Sequence, residues 1–269
     1  MMHDATSTLN YSFDQENRIT GASGYTYIYD GDGNRVRKSN GNAASSGTLY
    51  WYMTPGVVAE SDLAGTLKSE YVFFNGERVA RKDFPGNTVA YYFSDHLKTA
   101  SVITDASGTI KAESDYYPWG GELQFINNDS NDYKFTGKKR DSETGLDYFG
   151  ARYYSNGLGR WISADWSATP VPVPYANFGD PQTLNLYQFV GGNPASKTDR
   201  DGHDWHDFLE RIKRAVTEGN CGGLVCPTDR EAEAQKQSEG GLRSALRILQ
   251  FLPGSQNSES YARDGSWPN

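Results

Sequence analysis

The sequence predicts a mainly β protein: an array of β-hairpins over roughly the first three quarters of the chain, followed by a small α-helical C-terminal tail. Three observations predict it. Seventeen of the 18 tyrosines precede residue 204, in short runs bounded by Gly, Asn or Asp, which is the composition of strands and tight turns. Aromatic and polar residues alternate inside those runs, as on strands with one buried face. After Gly202 the apolar residues change to helical spacing.

The hairpins can be read in order. Tyr25-Thr26-Tyr27-Ile28-Tyr29 leads into Asp30-Gly31-Asp32-Gly33-Asn34 and returns as Arg35-Val36-Arg37. Side chains alternate along a strand, so Tyr25, Tyr27 and Tyr29 share one face, and the Asp-Gly steps are expected to supply the positive φ of a tight turn. The same outline occurs in Tyr11-Ser12-Phe13-Asp14, closing on Asn17-Arg18-Ile19, and more loosely in Tyr71-Val72-Phe73-Phe74-Asn75-Gly76-Glu77-Arg78-Val79. Each copy carries aromatics, a polar turn and an Arg returning beside the aromatics. Such repeats are read as an array of stacked units rather than as separate domains.

Composition narrows the function classes. The chain has 269 residues, 22% charged, with 26 Lys+Arg against 34 Asp+Glu and a net charge of -8. That balance argues against a main body that wraps nucleic acid by neutralising phosphates. No run approaches 18 apolar residues, so no membrane span is expected. The N-terminus, Met1-Met2-His3-Asp4-Ala5-Thr6, lacks the basic and apolar regions of a secretory signal peptide, so export is expected to use another signal or a longer parent chain. The only cysteines, Cys221 and Cys226, fall in the tail; the first 200 residues must hold by packing and strand pairing.

Downstream segments sharpen the picture. They are Tyr91-Tyr92-Phe93-Ser94-Asp95-His96-Leu97 with Asp115-Tyr116-Tyr117-Pro118-Trp119-Gly120, then Phe135-Thr136-Gly137-Lys138 through Gly150-Ala151-Arg152-Tyr153-Tyr154, then Gly159-Arg160-Trp161-Ile162-Ser163-Ala164-Asp165 with Asn185-Leu186-Tyr187 and Asp199-Arg200-Asp201-Gly202. Together with the tyrosine-aspartate hairpins they resemble the YD repeats and repeat-associated core of the Rhs (rearrangement hot spot) proteins, relatives of the C components of Tc toxins. The resemblance implies a β-ribbon that spirals into a hollow shell, with the core as an inward-turning plug. It gives three regions: YD-repeat hairpins over 1–90, the core over 91–203 and a variable helical tail over 204–269. Few repeats are present, so the chain is expected to be the end of a larger shell protein or a shortened relative. Open sheet edges would then favour self-association.

The resemblance also implies chemistry. In this family the core cuts its own chain as an aspartyl-type protease, with two Asp-Pro-x-Gly motifs and cleavage after the residue that follows the second Gly. Here the motifs align with Asp165-Trp166-Ser167-Ala168 and Asp199-Arg200-Asp201-Gly202, which places the scissile bond at His203-Asp204. Trp166 and Arg200 replace the prolines, Ala168 replaces a glycine, His203 stands where an apolar residue is usual, and Thr169–Pro174 lengthens the linker. Two carboxyls a few ångströms apart cannot both ionise, so one serves as base for a water while the other stays protonated. Asp165 and Asp199 are the expected pair, with Arg160 as electrostatic support. The competing reading of Asp-x-Asp-Gly is a plain turn. No cofactor and no metal is expected: Glu210 is one residue out of register for an EF-hand loop opening at Asp199, and His203 and His206 lack a convergent third ligand.

In the tail, Asp204 can cap a helix bearing Trp205, Phe208, Leu209, Ile212 and Val216 on one face, and a second helical stretch runs from about Asp229 to Leu252. No motif there names an activity. The resemblance implies a bacterial polymorphic-toxin or competition protein, secreted or at the cell surface, that encapsulates and releases its own C-terminal tail. Further expected partners are other shell segments, a secretion-system carrier and an immunity protein. The alternative is a non-enzymatic scaffold or binding module that stays uncut.

Overall fold

A computed structural model describes residues 2–3, 10–165, 179 and 181–203 of the protein. The helices expected in the tail, Cys221, Cys226, Asp204, and Trp166 through Pro174 lie outside the described residues.

Thirteen strands form one antiparallel sheet in which every strand pairs with its sequence neighbours. They are β1 (Met2–His3), β2 (Asn10–Phe13), β3 (Ile19–Ala22), β4 (Tyr25–Tyr29), β5 (Arg35–Ser39), β6 (Gly47–Met53), β7 (Gly56–Ser61), β8 (Leu67–Phe74), β9 (Glu77–Asp83), β10 (Thr88–Ser94), β11 (Ala100–Asp105), β12 (Ile110–Tyr116) and β13 (Glu122–Asn127). The alternation read from sequence sets the two faces: in β10, Ala90 and Tyr92 are buried while Tyr91 and Phe93 are exposed. All three hairpins read above are present, and the ribbon runs unbroken through residue 90.

The turns explain why aspartate recurs. In each of Asp14–Arg18, Asp30–Asn34, Asp62–Thr66, Asp95–Thr99 and Asp105–Thr109, the first N–H donates to the carbonyl four residues on, and the fourth residue's N–H returns to the aspartate carbonyl. One carboxylate oxygen then accepts the third and fifth N–H groups, at 2.8 to 3.0 Å. This corrects the expected role of the Asp-Gly steps. Only Gly33 of the Asp30 turn has positive φ, +85°; its counterparts in the other four turns are Asn17, Gly65, Lys98 and Gly108. The aspartate thus stands in for a strand partner and satisfies N–H groups that the hairpin leaves open. The Thr66 and Ala64 N–H groups hold the Asp62 carboxyl below its ordinary range.

A small second sheet, β14 (Lys139–Arg140), β15 (Asp147–Tyr148), β16 (Tyr153–Ser155) and β17 (Arg160–Trp161), lies against the inner face of the ribbon. Tyr11, Ile19, Ala22 and Tyr27 from the ribbon form one buried cluster with Leu146, Tyr148 and Tyr153. A second cluster is made by Phe135, Phe149, Tyr154, Trp161, Phe189 and Val190, where Phe149 meets Trp161 edge-on with ring centroids 5.0 Å apart.

Charges as well as hydrocarbon lie between the layers. Arg35, on β5, is 1% exposed and makes two hydrogen bonds to Asp141, which is 0% exposed. Lys38 Nζ reaches Asp141 and Glu143 at 3.1 Å each. The Arg35 guanidinium also faces the rings of Tyr148 at 4.4 Å and of Tyr27 and Tyr50 at 5.2 Å. Burial pushes the Asp141 carboxyl up, but Arg35 and Lys38 outweigh it and hold the group below its usual value. A second tie joins Lys139 Nζ to Glu60 at 3.0 Å, with the Tyr133 hydroxyl donating to the same Glu60 at 2.9 Å.

Removing one partner of such a pair leaves a buried charge uncompensated. Asp141→Asn is expected to lower unfolding free energy by about 3–5 kcal/mol in urea denaturation; a loss below about 1 kcal/mol would mean that the layers do not depend on it.

Candidate functional site

The candidate residues meet at the turn joining β15 to β16. Gly150 has φ +106°, and a Cβ built there would lie 3.0 Å from the Asp201 carbonyl oxygen. Gly202 has φ +85°, and its Cβ would lie 3.0 Å from the Arg152 nitrogen and 3.1 Å from Phe149 Cβ. Only glycine permits such an approach at such φ. The two segments therefore touch backbone to backbone, and the Ala151 N–H donates to the Asp201 carbonyl at 2.9 Å.

Arg152 occupies the junction. It is 3% exposed, with its guanidinium 4.2 Å from the Trp161 ring centroid. Its Nε donates to the Gly202 carbonyl, Nη1 to the Leu186 carbonyl at 3.1 Å and Nη2 to the His203 carbonyl at 2.8 Å. The same Nη2 lies 3.1 Å from Asp165 Oδ2 and 3.8 Å from Asp199 Oδ2. One guanidinium nitrogen thus faces both expected carboxylates and the carbonyl of the expected scissile bond. Asp165 reaches this position because its N–H donates to the Leu186 carbonyl at 3.0 Å, and its Oδ1 lies 3.6 Å from His203 Nδ1.

Asp199 does two things at once. Its Oδ1 accepts the Asp201 and Gly202 N–H groups at 3.1 and 2.7 Å, which is the turn that Asp-x-Asp-Gly suggested, while Oδ2 faces Arg152. Burial pushes its carboxyl up to about 6, against the pull of Arg152 and the Gly202 N–H. Lys138 stands on the other side, donating through Nζ to the Arg200 carbonyl. Loss of hydration pushes its ammonium group down to about 8, against Asp199 and Asp201.

The sequence leads one to expect Arg160 beside the carboxylates. Arg160 is exposed on β17, bridged to Gln188, and makes no ion pair among the described residues. Arg152 takes that position. It lay in plain view in Gly150-Ala151-Arg152-Tyr153-Tyr154, but its distance along the chain from both motifs hid its role. Asp204 and His206 lie outside the described residues. No cluster of three or more metal-ligating side chains occurs among the described residues.

The site opens on a cavity of about 950 Å³. In an up-and-down sheet alternate turns fall on one edge, so the turns after β2, β4, β6, β8 and β10 line up there and contribute one wall. Thr136–Lys138, Phe149–Ala151, Thr198–Asp201 and His203 contribute the other.

Asp147 in β15, pushed up to about 6 by burial against the bonds of Arg140, behaves like Asp199. A carboxyl raised in the fold binds its proton more tightly folded than unfolded, so its stabilising contribution is complete below the ordinary value near 3.8 and is lost as pH rises through about 6. Stability of the wild type is expected to fall across that window. Urea midpoints for Asp199→Asn should fall less; equal pH profiles would refute the assignment.

Known proteins place the chain. A family profile described as Teneurin YD-shell matches residues 85–195. The chain is 30% identical over 206 residues to the tRNA3(Ser)-specific nuclease WapA of Bacillus spizizenii, covering 72% of this chain and 8% of that protein. It is 28% identical over 207 residues to the toxin subunit YenC2 of Yersinia entomophaga, covering 68% of this chain and 20% of that one. The chain therefore spans only a small part of these relatives. A crystal structure of TcdB2-TccC3-Cdc42 superposes with a TM-score of 0.56 at 25% identity, over 72% of this chain and 10% of that one. The structure of TcdB2-TccC3 without its hypervariable C-terminal region agrees in fold, with a TM-score of 0.55 at 24% identity over the same shares. Tyrosine-aspartate hairpins in one continuous ribbon, the plug-like second sheet on its inner face and these likenesses agree: the chain belongs to the Rhs/YD-repeat proteins.

Proposed function

We propose that this Rhs/YD-repeat, toxin-related chain encloses and presents its own C-terminal polypeptide and releases it by aspartyl-type cleavage between His203 and Asp204. The observation that carries the reading is the convergence of Asp165, Asp199 and the His203 carbonyl oxygen on Arg152 Nη2. Arg152 polarises that carbonyl and offsets the negative charge that grows on its oxygen during attack. Asp165 takes a proton from a water as the water adds to the carbonyl carbon. Asp199, protonated up to about pH 6, gives its proton to the departing amide nitrogen of Asp204. The products are a carboxylate at His203 and an amine at Asp204. The relatives, a tRNA nuclease and a toxin subunit, support reading the released segment as a toxic cargo.

A second reading has its own support. Asp199 Oδ1 is committed to the Asp201 and Gly202 N–H groups, and Trp166 and Arg200 stand at the family's proline positions. A shell scaffold that stays uncut requires nothing more. The extracellular or surface setting expected of either role is shared.

Intact mass spectrometry separates the two. Freshly expressed wild type is expected to yield a fragment beginning at Asp204, whereas Asp165→Asn and Asp199→Asn stay at full length. Full-length protein in all three samples would withdraw cleavage and leave the scaffold. If the wild type is cut, the rate should fall as pH rises through about 6, where Asp199 loses its proton; a rate that climbs across that window would assign the acid to another group.

A further inference from the structure

We infer that Lys138 is a positioning residue of the cleavage site: it holds the Arg200–Asp201 peptide by its carbonyl while Asp199 holds the same peptide by its N–H, and its ammonium charge favours the carboxylate form of Asp199. The inference rests on the reading above in one respect, that Asp199 is the acid of the reaction.

A row of held carbonyls leads up to the expected scissile bond. Those of Arg200, Asp201, Gly202 and His203 accept in turn from Lys138 Nζ, from the Ala151 N–H at 2.9 Å, from Arg152 Nε and from Arg152 Nη2 at 2.8 Å. All of these donors except Lys138 belong to the connection between β15 and β16. Lys138 follows the short helical turn Phe135–Gly137. That turn is fastened to the ribbon, because the Thr136 N–H donates to Thr99 Oγ1 at 3.0 Å and the Gly137 carbonyl accepts from Arg78 Nη1 at 3.3 Å. Arg152 therefore ties the segment before the bond to the small sheet, and Lys138 ties it to the ribbon.

The held peptide also connects Lys138 to the acid. The Arg200 carbonyl and the Asp201 N–H are the two ends of one amide. Lys138 draws electron density toward the oxygen, which makes the N–H a better donor to Asp199 Oδ1, 3.1 Å away. A hydrogen bond to a carboxylate favours its ionised form, and so does a nearby cation. Lys138 acts on Asp199 in both ways, through the amide and through space.

Other charges face the pair from several sides. Arg152 Nη2 lies 3.8 Å from Asp199 and 3.1 Å from Asp165, and Asp165 has His203 Nδ1 at 3.6 Å. Asp201 favours the protonated form of both Asp199 and Lys138, while Arg78 and Arg200 oppose the charge on Lys138. Lys138 gives up its proton at about 8 and Asp199 at about 6, so Lys138 is a fixed cation across the range in which Asp199 titrates. Burial raises the Asp199 carboxyl, and Lys138 is one of the groups that limit the rise. It thereby sets the pH above which the acid of the reaction is spent.

Carboxyl-carbon NMR on the full-length chain tests this without depending on cleavage. Aspartate labelled with ¹³C at Cγ is introduced into the Asp165→Asn chain, and a second sample with Asp199→Asn added assigns the signal. Lys138→Gln keeps a donor for the Arg200 carbonyl and removes the charge; Lys138→Arg keeps both. Expected is an Asp199 midpoint that rises by on the order of one unit in Lys138→Gln and stays in place in Lys138→Arg. An unmoved midpoint in Lys138→Gln overturns the inference. An equal shift in both variants overturns it too, since that would mark a merely structural tether. The chain with Lys138 intact gives a check that requires no substitution there: the Asp199 signal should inflect a second time near about pH 8, where Lys138 loses its proton, and a flat signal refutes the coupling. With Asp165 restored, Lys138→Gln should carry the alkaline fall of the cleavage rate upward by the same amount. If the wild type is cut and that fall does not move, cleavage stands and the inference falls. If the wild type stays uncut, the cleavage reading fails, and the carboxyl titration still decides whether Lys138 governs Asp199.

Discussion

The buried pair of Arg35 and Asp141 is the constraint on which the rest of this structure depends. The ribbon buries Ala90, Tyr92, Ile103 and Ala112 in a cluster of its own, but its strands bearing Tyr11, Ile19 and Tyr27 need a second layer to cover them. Here a second, very small sheet covers them, and one guanidinium fixes how the two layers meet. Arg35 donates to Asp141 while its face lies against Tyr27 of the ribbon and Tyr148 of the plug. Charge and aromatic surface specify register better than hydrocarbon would, because a shift by one residue would strand a buried ion. Lys38 and Glu143 extend the same tie, and Glu60 with Lys139 repeats it further along the ribbon.

The site follows from that placement. Once β15 and β16 are held against the ribbon, their connecting turn offers Gly150 and Arg152 to a distant segment. Gly202 accepts the close approach because it has no side chain, and the carbonyls of Gly202 and His203 then fall on Arg152. The charge balance there is deliberate in physical terms. Burial raises Asp199 and lowers Lys138, so the two groups sit nearer to neutrality than they would in water, while Arg152 remains a fixed positive charge between two acids.

Much of this was legible in advance, and the limits are instructive. Tyr25, Tyr27 and Tyr29 declared their common face because strand periodicity is local. The aspartates declared a turn, but not its form: the five-residue geometry is set by how many N–H groups one carboxylate can reach, and Asn17 and Lys98 adopt the same positive φ that glycine takes elsewhere. Asp165 and Asp199 were named from resemblance to a family motif, not from spacing, and nothing in the sequence signals that Arg152 lies beside both, because nearness in sequence is a poor guide to nearness in the fold.

The sequence by itself determined the strands, their faces, the order of the hairpins and the identity of the family, since all of these rest on periodicity, turn chemistry and short motifs. Tertiary structure alone decided that Asp165, Asp199 and the His203 carbonyl share one guanidinium, and that Arg35 is buried against four tyrosines. The physical reason is that burial and Coulomb energy depend on distance in space. Only the closing of the plug onto the ribbon brings these groups from separate stretches of the chain into one place of low dielectric.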